Sequence, residues 1–322
     1  MAKCTFVWDT QSKLGGTTLY AKEGCMKDTG VYVPRAEQLG AKVDVILWLH
    51  GWYVSNSKNL FEPAKGYITS LRESVLASKK NVVLVGPHLG LQTYRGEGTL
   101  KLGNLGDGAG CNLYLKQVMT ALTDWHTETF LTGEIGGISV RKPDFQIRNL
   151  IIACHSGGGD LMRTATGALG DLKSTLKECW GFDCLYADGT TYEHWAFSLA
   201  PAGVKTYFYL ANGSSAAHFA EFWKAAYGTP KRPRAGGRMQ NLFLAPAVPG
   251  IELDRTAFQS VEEIQGKPDT GNPYEAVRRK VDPFLDDPQV YSRKLNAQPL
   301  KDHFQVVREL LSHRLIKSAL GS

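Results

Sequence analysis

The stretch Leu150-Ile151-Ile152-Ala153-Cys154-His155-Ser156-Gly157-Gly158-Gly159-Asp160-Leu161-Met162 decides how this chain is read. An apolar run suited to a strand buried on both faces leads directly into a serine, and helix-compatible residues follow at once. Small residues stand two before the serine, Cys154, and two after it, Gly158. A chain that turns sharply from strand to helix folds back on itself with a strained serine backbone, and it needs small neighbours there. The spacing approximates G-x-S-x-G, with Cys154 in the place of the first glycine. A glycine-rich helix start that binds an anion is the other reading of the same residues.

Working outward, residues 43–49 and 81–85 form two further apolar runs of strand length. Helix-compatible segments separate the three strands at 60–78 and 112–125, and another follows the serine at 158–176. This alternation predicts a mostly parallel, doubly wound sheet with helices on both faces. Residues 4–34 differ: short strands broken by Gly15-Gly16, Gly24 and Asp28-Thr29-Gly30 predict an antiparallel opening. Beyond the serine, strands are expected at 179–185, 205–210 and 242–245, with a helix around 194–199. Residues 246–300 are rich in proline and charge, which suits a lid or excursion within a single domain spanning 1–322. The tail from 302 to 315 carries apolar residues at helical spacing.

The chain has 322 residues, 43% of them apolar and 21% charged, with a mean hydropathy of -0.22. These values describe an ordinary globular protein and exclude disordered, collagenous and coiled-coil classes. No apolar run approaches the roughly 18 residues needed to span a bilayer. Lys and Arg exceed Asp and Glu by 37 to 31, without a basic block, so nucleic acid is not an expected partner. The start of the chain lacks an apolar signal core, which reads as cytoplasmic, or as secreted where a signal has been removed. The six cysteines lack Cys-x-x-Cys spacing, and buried thiols are expected, with a Cys4–Cys25 bridge as the alternative.

On the elbow at Ser156, the chain resembles the α/β-hydrolase superfamily over most of residues 31–315. A second motif supports the resemblance: Leu47-Trp48-Leu49-His50-Gly51-Trp52 is a strand ending in His-Gly, where that superfamily supplies an oxyanion-hole amide. The resemblance implies Ser156 as nucleophile, with the amide of Gly157 and that of Trp52 or Gly51 as oxyanion donors. It implies a base near the C-terminus, and Asp302-His303-Phe304 ahead of an apolar helix fits His303 to that role. His313 falls inside the helix.

No carboxylate follows the strand at 206–210 until Glu221, so the usual place for the acid is vacant. Some members place it one strand earlier. There Phe182-Asp183-Cys184-Leu185-Tyr186 looks like the Leu-Asp-Ala-Leu-Tyr run of a bacterial branch with a His-Ser-Gly-Gly elbow. Asp183 is therefore the expected acid and Asp188 the alternative, although Asp188-Gly189 also reads as a plain turn.

His50, His88 and His155 each follow a buried strand, so they share one rim of the sheet and could meet at a metal. No Asp or Glu accompanies them at ligand spacing. They are expected to line the substrate cleft with Tyr53, and neither metal nor cofactor is required. The implied activity is cleavage of a carboxylic ester through an acyl-enzyme. A peptide or amide hydrolase with the same triad, a metal-dependent hydrolase and a non-catalytic binding protein of the same fold are the alternatives. Trp52, Tyr53, Tyr94, Trp195 and Phe219 predict an apolar cleft for short or aromatic acyl esters.

Overall fold

In the computed structural model of the chain, the described residues are 3–8, 15–51, 54, 56–61, 71–89, 105–131, 144–185, 189–210, 228–229, 232–233, 242–246, 307, 310–312 and 314–321. The opening is antiparallel, as the turn signals require. Strands β1 (Thr5–Trp8), β2 (Thr17–Glu23) and β3 (Thr29–Val33) pair in sequence. Then come β4 (Lys42–Leu49), the short helices α1 (Ser57–Phe61) and α2 (Leu71–Ala77), β5 (Val83–Pro87) and the long helix α3 (Gly110–Phe130). The apolar strand β6 (Gln146–His155) leads through one 3-10 turn into α4 (Gly159–Gly167). After it lie β7 (Leu176–Phe182), α5 (Gly189–Leu199), β8 (Lys205–Leu210), a two-stranded pair of β9 (Gly228–Thr229) and β10 (Arg232–Pro233), and β11 (Leu242–Pro246).

Among the described residues, nine strands form one sheet in the order β1-β2-β3-β5-β4-β6-β7-β8-β11. From β5 to β11 every pairing is parallel. This strand order, antiparallel at one edge and parallel through the middle with helices on both faces, is the α/β-hydrolase fold. The continuous apolar runs are explained by the two layers. Val45, Leu47, Ile152 and Cys154 face the side covered by α3, α4 and α5. Their neighbours Ile46, Trp48, Ile151 and Ala153 face the side covered by α1, α2 and the helical turns between 307 and 317. Each strand buries both sets because side chains alternate across a pleated backbone.

The helix after Ser156 is shorter than its expected span of 158–176. It ends at Gly167, and Gly170, at φ +53°, takes the left-handed backbone that glycine adopts without steric cost. Asn112 closes that end, its amide N–H donating to Ala168 O and its Nδ2 to Leu169 O. A 3-10 stretch then delivers the chain to β7, which starts at Leu176 instead of 179.

The end of the sheet where the parallel strands begin, opposite Ser156, holds the tail of the chain by buried charge. Asp44 accepts two hydrogen bonds from Arg148, one from Asn149 and one from the Gly321 amide. Glu178 accepts from Trp180 Nε1 and the Ala319 amide, and Lys80 Nζ donates to the carbonyls of Ser318 and Leu320. Arg314 lies 3.9 Å above the Tyr207 ring. A buried carboxylate is tolerated where it is met by charged and backbone donors of this kind.

Cysteine pairing departs from the expectation of buried thiols throughout. The β1–β2 register brings Cys4 and Cys25 to a Cα separation of 4.3 Å, and they form a disulfide. Cys111, Cys154, Cys179 and Cys184 are free and buried. Ellman titration of the unreduced chain in guanidinium should therefore count four thiols, and six would contradict the bridge. With a sequence separation of 21, Cys25→Ser should lower the unfolding free energy by roughly 3 kcal/mol in denaturant melts.

Candidate active site

Strand register sets the site. Leu49 pairs with Cys154, and Cys154 with Gly181. Two residues further on, Gly51, Ser156 and Asp183 therefore leave three neighbouring parallel strands at one level, with adjacent strands about 4.8 Å apart. Gly51 and Ser156 touch: a Cβ built on Gly51 would lie 2.6 Å from Ser156 Cβ and 3.1 Å from its Oγ. No side chain fits at 51 while Ser156 stands where it does.

Ser156 has φ +54° and Asp183 has φ +43°. Left-handed backbone is uncommon for residues other than glycine and is strained. Among the described residues other than glycine, only Lys79 also has it. Two strained polar residues thus stand on adjacent strand ends. Asp183 is fully buried, and its amide donates to Tyr209 O at 2.6 Å, which ties it to β8.

The turn is held by close packing. A Cβ at Gly158 would come within 2.4 Å of Leu49 O, and one at Gly159 within 2.4 Å of Cys184 O. The elbow is thus wedged between the end of β4 and the chain just after Asp183. Cys154 is accepted in the first glycine position because its side chain points into the core, where its thiol is hydrogen-bonded with that of Cys184. Burial pushes the Cys154 thiol well up, so it stays protonated. Gly157 opens the turn into α4, whose N-terminal amides lack intrahelical partners and carry partial positive charge.

His50 takes a different place from the one expected. It is fully buried, as is His155, so neither imidazole lines a solvent-filled cleft. The Leu89 amide donates to His50 Nε2 at 2.8 Å, which leaves Nδ1 carrying the proton that it donates to Gly51 O. His88 stacks on His50 with ring centroids 5.8 Å apart and donates from Nε2 to Val54 O at 2.9 Å. Both nitrogens of His50 are engaged by backbone. No group of three His, Cys, Asp or Glu among the described residues is arranged to hold a metal.

Of the residues singled out in the sequence, the structure brings together Ser156, Gly157, Gly51 and Asp183. Trp52, Tyr53, Tyr94, Asp188, Phe219 and His303 lie outside the described residues. Trp195 does not belong to the rim: it is buried on α5, with Nε1 donating to Thr166 Oγ1 at 2.7 Å. Asp28, legible in the sequence only as a turn residue, reaches the loop after β4 by accepting hydrogen bonds from Ser57.

The sequence matches no family model and no curated protein. Solved structures similar to it include a rice cell wall degrading esterase, LipA, from Xanthomonas oryzae, with 10% identity over 88% of this chain and 98% of that one, at a TM-score of 0.42. A mutant feruloyl esterase module from Clostridium thermocellum shares 13% identity over 76% of this chain and 81% of that one, at a TM-score of 0.39. A ferulic acid esterase shares 14% over 70% and 86%, at 0.37. The fold assignment rests on strand order and register, not on likenesses at this level.

Burial pushes the His50 pKa down to about 4, with the Gly51 carbonyl opposing and neighbouring His88 reinforcing the shift. An unfolded imidazole titrates near 6.5, so between those values the unfolded chain binds the extra proton. The stability contributed by neutral His50 is thus full above about pH 6.5 and falls towards pH 4, by at most about 3 kcal/mol. Denaturant melts of wild type and His50→Gln should show a stability gap that narrows from pH 7 to pH 4.5. A gap constant across that range would contradict the buried neutral imidazole.

Proposed function

We propose that the chain is a carboxylic ester hydrolase acting through an acyl-enzyme. Ser156 Oγ attacks the ester carbonyl while His303 takes its proton. Asp183 holds the imidazole in the required tautomer, and the amide of Gly157, with that of Gly51 or Trp52, receives the negative oxygen. His303 then returns the proton to the leaving alkoxide, and water attacking the acyl-serine reverses the sequence. The observation that carries this reading is the strained pair Ser156 and Asp183 on level, adjacent strand ends, with Gly51 against the serine. The position of Asp183 favours it over Asp188 as the acid.

His303 fits the base by its place in the chain. Val307, four residues later, belongs to the core cluster that contains Phe182 and Tyr209, the last described core residues of β7 and β8. At helical rise, the helical turns between 307 and 317 cover about 15 Å. They lead from the end of the sheet where the Gly321 amide meets Asp44 towards the strand ends that carry Ser156. The lid or excursion expected at 246–300 lies outside the described residues, apart from Pro246, which ends β11.

Trp52 and Tyr53 directly follow Gly51, and this supports an apolar acyl pocket for short or aromatic esters. The Cys4–Cys25 bridge suits an oxidising compartment better than the cytoplasm. No helix among the described residues is long and apolar enough to cross a membrane.

Turnover of p-nitrophenyl acetate, butyrate and benzoate by wild type, with loss of roughly a thousandfold or more in Ser156→Ala, is the expected result. Retention of a tenth of the rate by that variant would contradict the serine mechanism. Asp183→Asn should be more damaging than Asp188→Asn, and the reverse order would transfer the acid to Asp188. Wild-type rates should rise through an apparent pKa of roughly 6.5, and His303→Ala should lose that limb together with most of the rate. Preference for long acyl chains, or activity confined to p-nitroanilides, would overturn the substrate assignment.

A further inference from the structure

An oxyanion site works only if its amides stand within hydrogen-bond reach of where the negative oxygen forms, and misplacement of about 1 Å can cost roughly a hundredfold in rate. The backbone after β4 is therefore the part of this site with least tolerance. It includes Gly51, which touches Ser156, and the pairing of β4 with β6 ends at Leu49, two residues before it.

What holds it comes from elsewhere in the chain. The Asp28 carboxylate, in the turn between β2 and β3, accepts hydrogen bonds from the Ser57 amide at 2.8 Å and the Ser57 hydroxyl at 2.5 Å. The Asp28 carbonyl accepts from the His88 amide at 2.6 Å. His88 in turn donates from its ring to Val54 O, the next residue's amide donates to His50 Nε2, and His50 Nδ1 donates to Gly51 O. Positions 51, 54 and 57 are thus each pinned, and Asp28 supports two of the three, Ser57 directly and Val54 through His88.

Asp28 is itself anchored. Cys25 is tied to Cys4, the Met26 amide donates to Gln117 Oε1 at 2.7 Å, and Gln117 Nε2 donates back to Gly24 O at 3.1 Å. The turn that bears Asp28 is therefore fixed to α3 and to β1. Hydrogen bonds to a charged carboxylate are the stronger kind, suited to holding a loop against thermal displacement.

We propose that Asp28 is a positioning residue for the oxyanion site: through its carboxylate on Ser57 and its carbonyl on the His88 amide, it sets where Gly51 stands relative to Ser156. The proposal rests on the ester-hydrolase reading and deepens it. Asp28 touches neither substrate nor reacting atoms, so its removal should slow the step in which the oxyanion forms while leaving binding of the ground-state ester nearly unchanged.

The test is steady-state hydrolysis of p-nitrophenyl acetate by wild type, Asp28→Ala, Asp28→Asn, Ser57→Ala and the double variant, with inhibition by phenylboronic acid measured in parallel. Asp28→Ala should lower kcat by roughly 10- to 100-fold with KM changed less than about threefold, and weaken the boronic acid, whose adduct mimics the tetrahedral oxyanion, in proportion. Asp28→Asn retains an acceptor for the Ser57 amide and should restore most of the rate. The double variant should be no slower than Asp28→Ala, because both changes break one contact.

A folded Asp28→Ala enzyme with kcat within twofold of wild type would overturn the proposal, as would a loss confined to KM or absence of rescue by asparagine. Should Asp28→Ala fail to fold, Ser57→Ala carries the test: a kcat loss of about three- to tenfold supports the proposal, and a loss below twofold overturns it. Wild type inactive on every ester would instead overturn the ester-hydrolase reading, and this proposal with it.

Discussion

Ser156 sits in left-handed backbone because three strand ends leave it no other course. The conformation costs about 1–3 kcal/mol for a residue other than glycine. It persists because Gly158 is pressed on the carbonyl of Leu49, Gly159 on that of Cys184, and Gly51 on Ser156 itself. Each contact is between backbone and backbone or close to it, so none can relax by rotating a side chain. The strain is therefore held by strands β4, β6 and β7, whose residues are buried on both faces of the sheet, and loosening any one of them would release it.

The two ends of the parallel strands divide the work. Where the strands begin, Asp44, Glu178 and Lys80 grip the tail with charged and backbone hydrogen bonds, so the last helical turns have a fixed foot. At the end that carries Ser156, His50 is bonded to Gly51 O and the Leu89 amide, His88 to Val54 O, and the Asp183 amide to Tyr209 O. Keeping His50 neutral matters here, since an imidazolium would lose the bond it accepts from Leu89 and add a buried charge beside the serine.

Much of this was legible in the sequence where the signal is local. The apolar run into Ser156, the small residues around it and the His-Gly after a second strand are patterns within a few residues, and they coincide with the strand-to-helix turn at Ser156 and with Gly51 packed against it. The helix after Ser156 was overextended because Gly167 and Gly170 lie in a stretch that is otherwise helix-compatible, and only the contacts of Asn112 reveal where it stops. Trp195 read as an aromatic of the rim because its spacing says nothing about which helix face it occupies. The clamps on His50 and Asp28 join residues 39 and 29 positions apart, and no periodicity or motif announces contacts of that range. The Cys4–Cys25 bridge, the alternative in the sequence, is the one formed, because the pairing of β1 with β2 brings the two cysteines together.

The central claim is that Ser156, and not one of the histidines or cysteines near it, is the nucleophile. The most direct measurement is peptide mapping by mass spectrometry after treatment of the folded protein with a fluorophosphonate, which phosphonylates an activated serine. Cleavage by trypsin yields residues 149–163 as one peptide, in which Ser156 is the single serine. The account predicts one phosphonyl group on that peptide, at Ser156, and none after heat unfolding, when the strained turn is gone. An adduct on another peptide, or an enzyme that turns over esters while remaining unlabelled at Ser156, would contradict it.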